Sequence, residues 1–235
     1  MQSIRDRVNL WKTHLPRVGL HYAVKTNNDN NIVREMIQLN QKFDCATKAE
    51  IEQVILLGGK AENIIFANSC KQEDHIEFAR ERKVKLMTYD SVEEVEAIHE
   101  LYPDAELVLR IAVTDTDAPA PMGKKFGAHM SHWSQNLDAA KALGMKVRGV
   151  SFHVGTGGCK FDAYRISIDN AKTVFEMAEQ KNMPAMDLVD IGGGFSSNAD
   201  NSEYNFEKIA PRVMAHLDHH FPASSGVKLI GEPGR

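Results

Sequence analysis

Eight short apolar runs, rich in β-branched residues, recur along this chain, and that rhythm limits its fold more than any other feature. They are LHYAV, KFDCA, NIIFAN, KLMTYD, ELVLRIA, VRGVSFHV, LVDIGG and VKLIGE, each closing near Gly, Asn, Asp or Ser. Amphipathic segments fill most of the intervals. In KAEIEQVILLGG, Ile51, Val54 and Ile55 mark one helical face and Gly58 a C-terminal stop; Val92, Val95 and Ile98 mark the face in SVEEVEAIHE. Strand-then-helix repetition implies a parallel sheet. Eight such units can close as a barrel, whereas a doubly wound sheet normally uses fewer strands and a glycine-rich turn after its first. Here the first strand runs into Lys25. The predicted fold is α/β, a TIM (β/α)8 barrel in one domain spanning 1–235. The sequence stops at Arg235, leaving no residues for a helix after the eighth strand. A barrel truncated there and incomplete at that edge is expected. One long irregular stretch, 112–133, follows strand five; connections of that length tend to be functional or mobile.

The 235 residues, 43% of them hydrophobic, suffice for one full core. A net charge of -4, with both signs interspersed, offers no basic stripe for nucleic acid and no polybasic membrane patch. No run approaches the ~20 apolar residues of a membrane span, and MQSIRDRVNLW lacks a signal-peptide core. A soluble, cytoplasmic protein acting on small polar molecules is expected. Cys45, Cys70 and Cys159 are odd in number and show no CxxC spacing, so neither disulfides nor a zinc site is predicted. The cluster HLDHH, His216 to His220, has metal-like density but falls on an outer helix and reads as a solvated face; no metal is expected.

Barrel enzymes place their chemistry at the C-terminal strand ends. Lys25, Asp44, Asn68, Arg110, His153, Gly192 and Glu232 all occupy such positions. Taken singly, each has an ordinary reading as a solvated lysine, a helix cap or a turn. Lys25 can form an imine if burial and nearby cations lower its pKa. Gly192, Gly193 and Gly194, and the run Gly155, Thr156, Gly157, Gly158, allow backbone N–H groups to approach a phosphate. His153 can stack on an aromatic cofactor or simply hydrogen-bond within the barrel top. Glu232 and Arg235 in GEPGR supply a carboxylate and a guanidinium, or else flank a Pro-Gly turn as solvated charges. Together these match the needs of pyridoxal 5'-phosphate. That cofactor requires an amine for its aldehyde, backbone donors and a guanidinium for its phosphate, and a carboxylate for its ring nitrogen.

The segments HYAVKTN, FDCATKAEIE, ANSCKQ, LVLRIA, SFHVGTG, VDIGGGF and GEPGR, in this order and over nearly the whole chain, resemble the eukaryotic-type ornithine decarboxylases. These belong to the fold-type III pyridoxal phosphate decarboxylases. The resemblance implies a barrel of the alanine racemase-like, cofactor-binding type. It implies that Lys25 joins the cofactor's aldehyde, that His153 stacks on the ring and that Glu232 pairs with the ring nitrogen. Thr156, where the family commonly has serine, would hold the phosphate with Gly193, Gly194 and Arg235, next to Gly192. Asp44, Glu50 and Arg110 would be polar groups around the lysine. The implied reaction is decarboxylation of L-ornithine to putrescine, with Lys25, His153 and Glu232 as the catalytic set.

The family's β-sandwich domain, which carries groups for the distal substrate amine, has no counterpart here. The chain is therefore expected to be a piece of a longer enzyme, poorly active alone. Family sites form between two subunits, so a homodimer is implied, with Lys125 resembling a position that contacts the partner. Antizyme is a possible partner through the acid-rich region from Glu73 to Glu96. Three rivals stand beside this reading. One is a non-catalytic regulator of antizyme-inhibitor type, another a barrel-only pyridoxal phosphate homeostasis protein, and the third a decarboxylase for lysine, arginine or diaminopimelate.

Overall fold

The structure is a computed structural model that describes residues 1–113, 118–123, 125–196 and 203–234. Eight parallel strands close on themselves: β1 (Val18–Ala23), β2 (Lys42–Cys45), β3 (Ile64–Phe66), β4 (Leu86–Tyr89), β5 (Glu106–Ile111), β6 (Lys146–Phe152), β7 (Leu188–Asp190) and β8 (Lys228–Gly231). Every predicted strand is present. The seam pairs Val18 with Leu229 and Leu20 with Gly231, so no edge is left open. The eight helices are α1 (Gln2–His14), α2 (Asn30–Gln38), α3 (Lys48–Leu56), α4 (Glu73–Glu81), α5 (Val92–Leu101), α6 (Trp133–Ala142), α7 (Phe161–Gln180) and α8 (Phe206–His220). Asp29, Thr47, Ser91 and Asn205 cap α2, α3, α5 and α8 by accepting backbone N–H bonds, which fixes where each helix leaves its loop.

The expected gap after β8 is not found. Helix α1, which the sequence reading did not identify, packs against β1 and α8 and completes the outer ring. Its Trp11 is 4% exposed and donates from Nε1 to the Val18 carbonyl at 2.8 Å. The indole lies so close to β8 that a Cβ on Gly231 would meet it at 2.9 Å.

Alternation along the strands divides the core. Ile64, Phe66, Leu107, Leu109 and Val189 pack outward into the large cluster shared with the helices. Ile65, Val108, Leu188 and Ile230 point inward and form a separate cluster that fills the barrel. Above it, toward the C-terminal mouth, two carboxylates are almost fully buried, Asp44 on β2 and Asp190 on β7. The connection 112–133 is pinned where it is described. Ala112 and Ala128 bond back along β5, and Ala120 pairs with Thr156 in the loop after β6. Helix α8 does lie outside, but only His219 of the histidine cluster fits the solvated reading. His216 and His220 are partly buried and face Asp169 of α7.

Candidate cofactor site

A cavity of about 500 Å³ opens at the C-terminal mouth of the barrel, and Lys25, His153, Thr156, Gly193, Gly194 and Glu232 line it. Six of the ten site residues named from sequence thus share one cavity. Lys25 sits in a short turn directly after β1, and its Nζ donates to Asp44 Oδ2 at 2.5 Å. The register explains the pairing, since Ala23 lies beside Asp44 across β1 and β2. The lysine side chain is 44% exposed to the cavity while that of Asp44 is 0% exposed, so the carboxylate anchors the amine from below.

The expectation that the lysine pKa is lowered is not met. Desolvation does lower it, and Arg110 adds to this, but the charges of Asp44 and Glu232 and the bond to Asp44 outweigh both and raise it. The amine rests as an ammonium held by Asp44.

Glu232 follows β8, and Asp190 closes β7. Asp190 Oδ1 accepts the Gly192 N–H at 2.9 Å. Asp190 and Glu232 are hydrogen-bonded neighbours, and burial raises the pKa of both; the charge of Asp190 and the bond to it raise Glu232 further, while the bond to Glu232 lowers Asp190. Asp44 is nearby and adds to this on Glu232. A bond between two carboxyl groups requires a proton on one, and Glu232 is the group pushed furthest toward holding it. Three buried carboxyl oxygens have no donor among the described residues: Asp44 Oδ1, Asp190 Oδ2 and Glu232 Oε1. Of these three residues Glu232 lines the cavity, so its Oε1 is the acceptor placed to take a donor from a ligand there.

His153 is fixed by the Gly155 N–H, which donates to Nδ1 at 3.0 Å, so Nε2 carries the ring proton. Burial, then Arg110 and Lys25, lower its pKa to about 3, leaving a neutral ring. The glycines leave no room for side chains. A Cβ on Gly193 would lie 3.1 Å from His153 Nε2, and one on Gly194, at φ +93°, 2.5 Å from Val154 Cγ2. Tyr164, fully buried on α7, donates to the Gly193 carbonyl at 3.1 Å and holds the turn. Among the described residues no backbone carbonyl takes the N–H of Gly193 or Gly194. Thr156 commits its N–H to the Ala120 carbonyl at 3.0 Å, and its side chain lines the cavity.

The remaining named residues are placed differently. Arg110 lies one residue before the end of β5 with its guanidinium 5.0 Å from the Phe126 ring centre and acts on Lys25, Asp44 and His153 through its charge. Gly192 lies beneath the cavity and serves Asp190. Glu50 bonds the Ala46 N–H at 2.6 Å and takes part in the cap of α3. Asn68 accepts from the Cys70 N–H in its own turn, and Lys125 is exposed. Arg235 lies outside the described residues. Asp190 and Tyr164 are the site residues that sequence reasoning missed. An acid inside the apolar run LVDIGG was the available signal for the first.

The family model described as "Pyridoxal-dependent decarboxylase, pyridoxal binding domain" matches residues 1–235. The chain is 43% identical over 225 residues to a probable ornithine decarboxylase of Dictyostelium discoideum, covering 96% of this chain and 48% of that protein. It is 44% identical over 221 residues to antizyme inhibitor 2 of Xenopus laevis, with 94% and 48% covered. The crystal structure of the arginine decarboxylase of Paramecium bursaria Chlorella virus superposes with a TM-score of 0.93 at 35% identity, covering 98% of this chain and 61% of that one. The chain spans about half the length of the curated relatives it matches.

Proposed function

The chain belongs to the pyridoxal-dependent decarboxylases, as a pyridoxal-binding barrel, and from that premise we propose that it forms the cofactor half of a decarboxylase acting on L-ornithine. Pyridoxal phosphate supplies an electrophilic aldehyde and a ring that accepts the electron pair left when the substrate carboxyl departs. The residues present fit that group. Lys25 is an amine inside the cavity, oriented by Asp44 and able to carry a proton to and from the reacting carbon. The neutral His153 ring, held by Gly155, offers a flat face without a competing charge. Glu232, buried beside Asp190 and pushed toward its protonated form, would pair with the ring nitrogen and hold a proton between the two. The Gly193 and Gly194 N–H groups and the Thr156 hydroxyl suit a phosphate, with Arg235 as the guanidinium.

One observation carries this reading: a lysine, a glycine cradle and a buried glutamate with an unsatisfied oxygen meet at a single cavity. Ornithine as substrate, with putrescine as product, is supported by the relatives named for that activity. Arginine is the second reading for the substrate, supported by the viral structural neighbour. A non-catalytic regulator, suggested by the antizyme inhibitor relative, gives no use for the shared proton at Glu232. A β-sandwich domain elsewhere in the full protein, a homodimeric site, antizyme as a partner and a cytoplasmic location belong to the same proposal. Among the described residues no helix is long and apolar enough to cross a membrane.

The test is to assay amine product and carbon dioxide from L-ornithine, L-arginine and L-lysine with the full-length protein and its Lys25→Ala variant. Turnover of ornithine above the other two, lost in the variant, is expected. Preference for arginine moves the assignment to the second reading, and a folded, cofactor-loaded protein that turns over none of them overturns it.

A further inference from the structure

Outside the mouth of the barrel, Asp169 of α7 and His216 and His220 of α8 bring three ligand atoms within 4.8 Å of one another. His216 and His220 stand one helical turn apart, so both rings project from the same face of α8. Each directs Nε2 at the same atom, Asp169 Oδ1, at 2.7 Å and 3.0 Å. The rings meet at 77° with centres 4.8 Å apart, which turns both nitrogens toward one point and keeps the ring planes from blocking it. All three residues are partly buried, the histidine side chains 20% and 22% exposed, so the group is shielded on the barrel side and open to solvent on the other.

We propose that Asp169, His216 and His220 form a divalent transition-metal site of zinc type, three protein ligands with water in the fourth position, clamping α7 to α8. Two imidazoles and one carboxylate are a donor set that zinc and its neighbours accept. Tetrahedral ligands about such an ion stand ~3.3 Å apart, so the two His–Asp separations need to open by only a few tenths of an ångström while the histidine nitrogens, within 4.8 Å of each other, draw together. The cluster lies in the last turn of α8, where the carbonyl end of the helix dipole favours a cation. Arg165, 3.4 Å from Asp169 Oδ2, is the nearby cation that opposes an ion; it also pairs with Asp162, which gives it an alternative partner. His219 is exposed, with its ring 4.8 Å from that of His220, and is not needed as a ligand.

The position gives the clamp a consequence. Helix α7 starts just after the loop that carries Thr156 and Gly157, and α8 follows the segment that carries Phe195 and Ser196; all four residues line the cavity at the barrel mouth. An ion joining the two helices therefore holds α7 in place, next to the loop of Thr156 and Gly157, without touching the cavity.

The test is calorimetric titration of the full-length protein with Zn²⁺ alone, repeated with Co²⁺ and followed by visible absorption. It compares wild type with His216→Gln/His220→Gln, Asp169→Asn and Cys70→Ser, each verified as folded by circular dichroism. One equivalent should bind in wild type and in Cys70→Ser and raise the melting temperature. Affinity should fall by at least about 100-fold in the double histidine variant and at least about tenfold in Asp169→Asn, and the Co²⁺ band should vanish with the histidines. The proposal is overturned if wild type fails to bind at millimolar Zn²⁺, if the double variant binds as wild type does, or if only Cys70→Ser abolishes binding.

Discussion

Two lysine–carboxylate pairs among the described residues, one closed in the core and one open to the cavity, differ in what they leave unsatisfied. Lys71 is 0% exposed at its side chain and its partner Glu94 6%. Lys71 Nζ donates to Glu94 Oε1 at 2.7 Å and to the Thr88 carbonyl at 2.5 Å, while both Glu94 oxygens also take the Lys71 N–H at 3.2 Å. No side-chain oxygen of this pair lacks a donor. At the cavity, Lys25 meets Asp44 at 2.5 Å, yet Asp44 Oδ1 beneath it and Glu232 Oε1 on the cavity wall are both without one. A satisfied buried pair fixes a structure, whereas surplus acceptors beside a reachable amine keep a place for a ligand.

That contrast can be broken at either pair. The largest expected effect is at the cavity, where Lys25→Ala abolishes turnover while the protein stays folded, because Asp44, already raised by burial, can take up a proton. At the other pair, Lys71→Ala strands Glu94 and should cost about 3–5 kcal/mol in urea denaturation, with the cofactor affinity of the remaining folded protein unchanged. Next is Glu232→Gln in the cofactor-free protein, where the sign depends on pH. The folded Glu232 carboxyl titrates well above its ordinary value of 4.5. The unfolded chain therefore releases this proton first, and stability falls as pH rises above 4.5, until the folded carboxyl itself ionises. Glutamine removes that penalty, so the variant should be more stable than wild type by about 1–3 kcal/mol at pH 8 and close to it at pH 4, measured by denaturant midpoint. The smallest effect is that of Ser91→Ala. It removes the cap that receives the Glu94 N–H at 3.2 Å, and should cost about 1 kcal/mol without changing cofactor binding.

The strands were legible because fully buried parallel strands read as continuous apolar runs, and all eight did. Helix α1 was not, since QSIRDRVNLWKTH buries only Val8 and Trp11 and its other residues are polar or partly exposed. The cavity residues were legible by their place at strand ends. Their electrostatics were not, because the Lys25 pKa depends on Asp44, nineteen positions away, which the register of β1 and β2 brings to its side. Asp190 was hidden inside a run that looked like ordinary strand, and its meaning appears only when Glu232 closes the barrel beside it. Glu94 lies in the acid-rich segment read as a candidate partner surface, yet it is buried against Lys71, so local charge overstated what that surface exposes.

The most direct test of the account is to load the full-length protein with pyridoxal phosphate, reduce it with borohydride, and locate the fixed label by peptide mass spectrometry. Label on Lys25 alone, and none in Lys25→Ala, is the expected result. Label on Lys71 or another lysine, or a folded protein that takes none, would contradict the assignment of the cavity as the cofactor site.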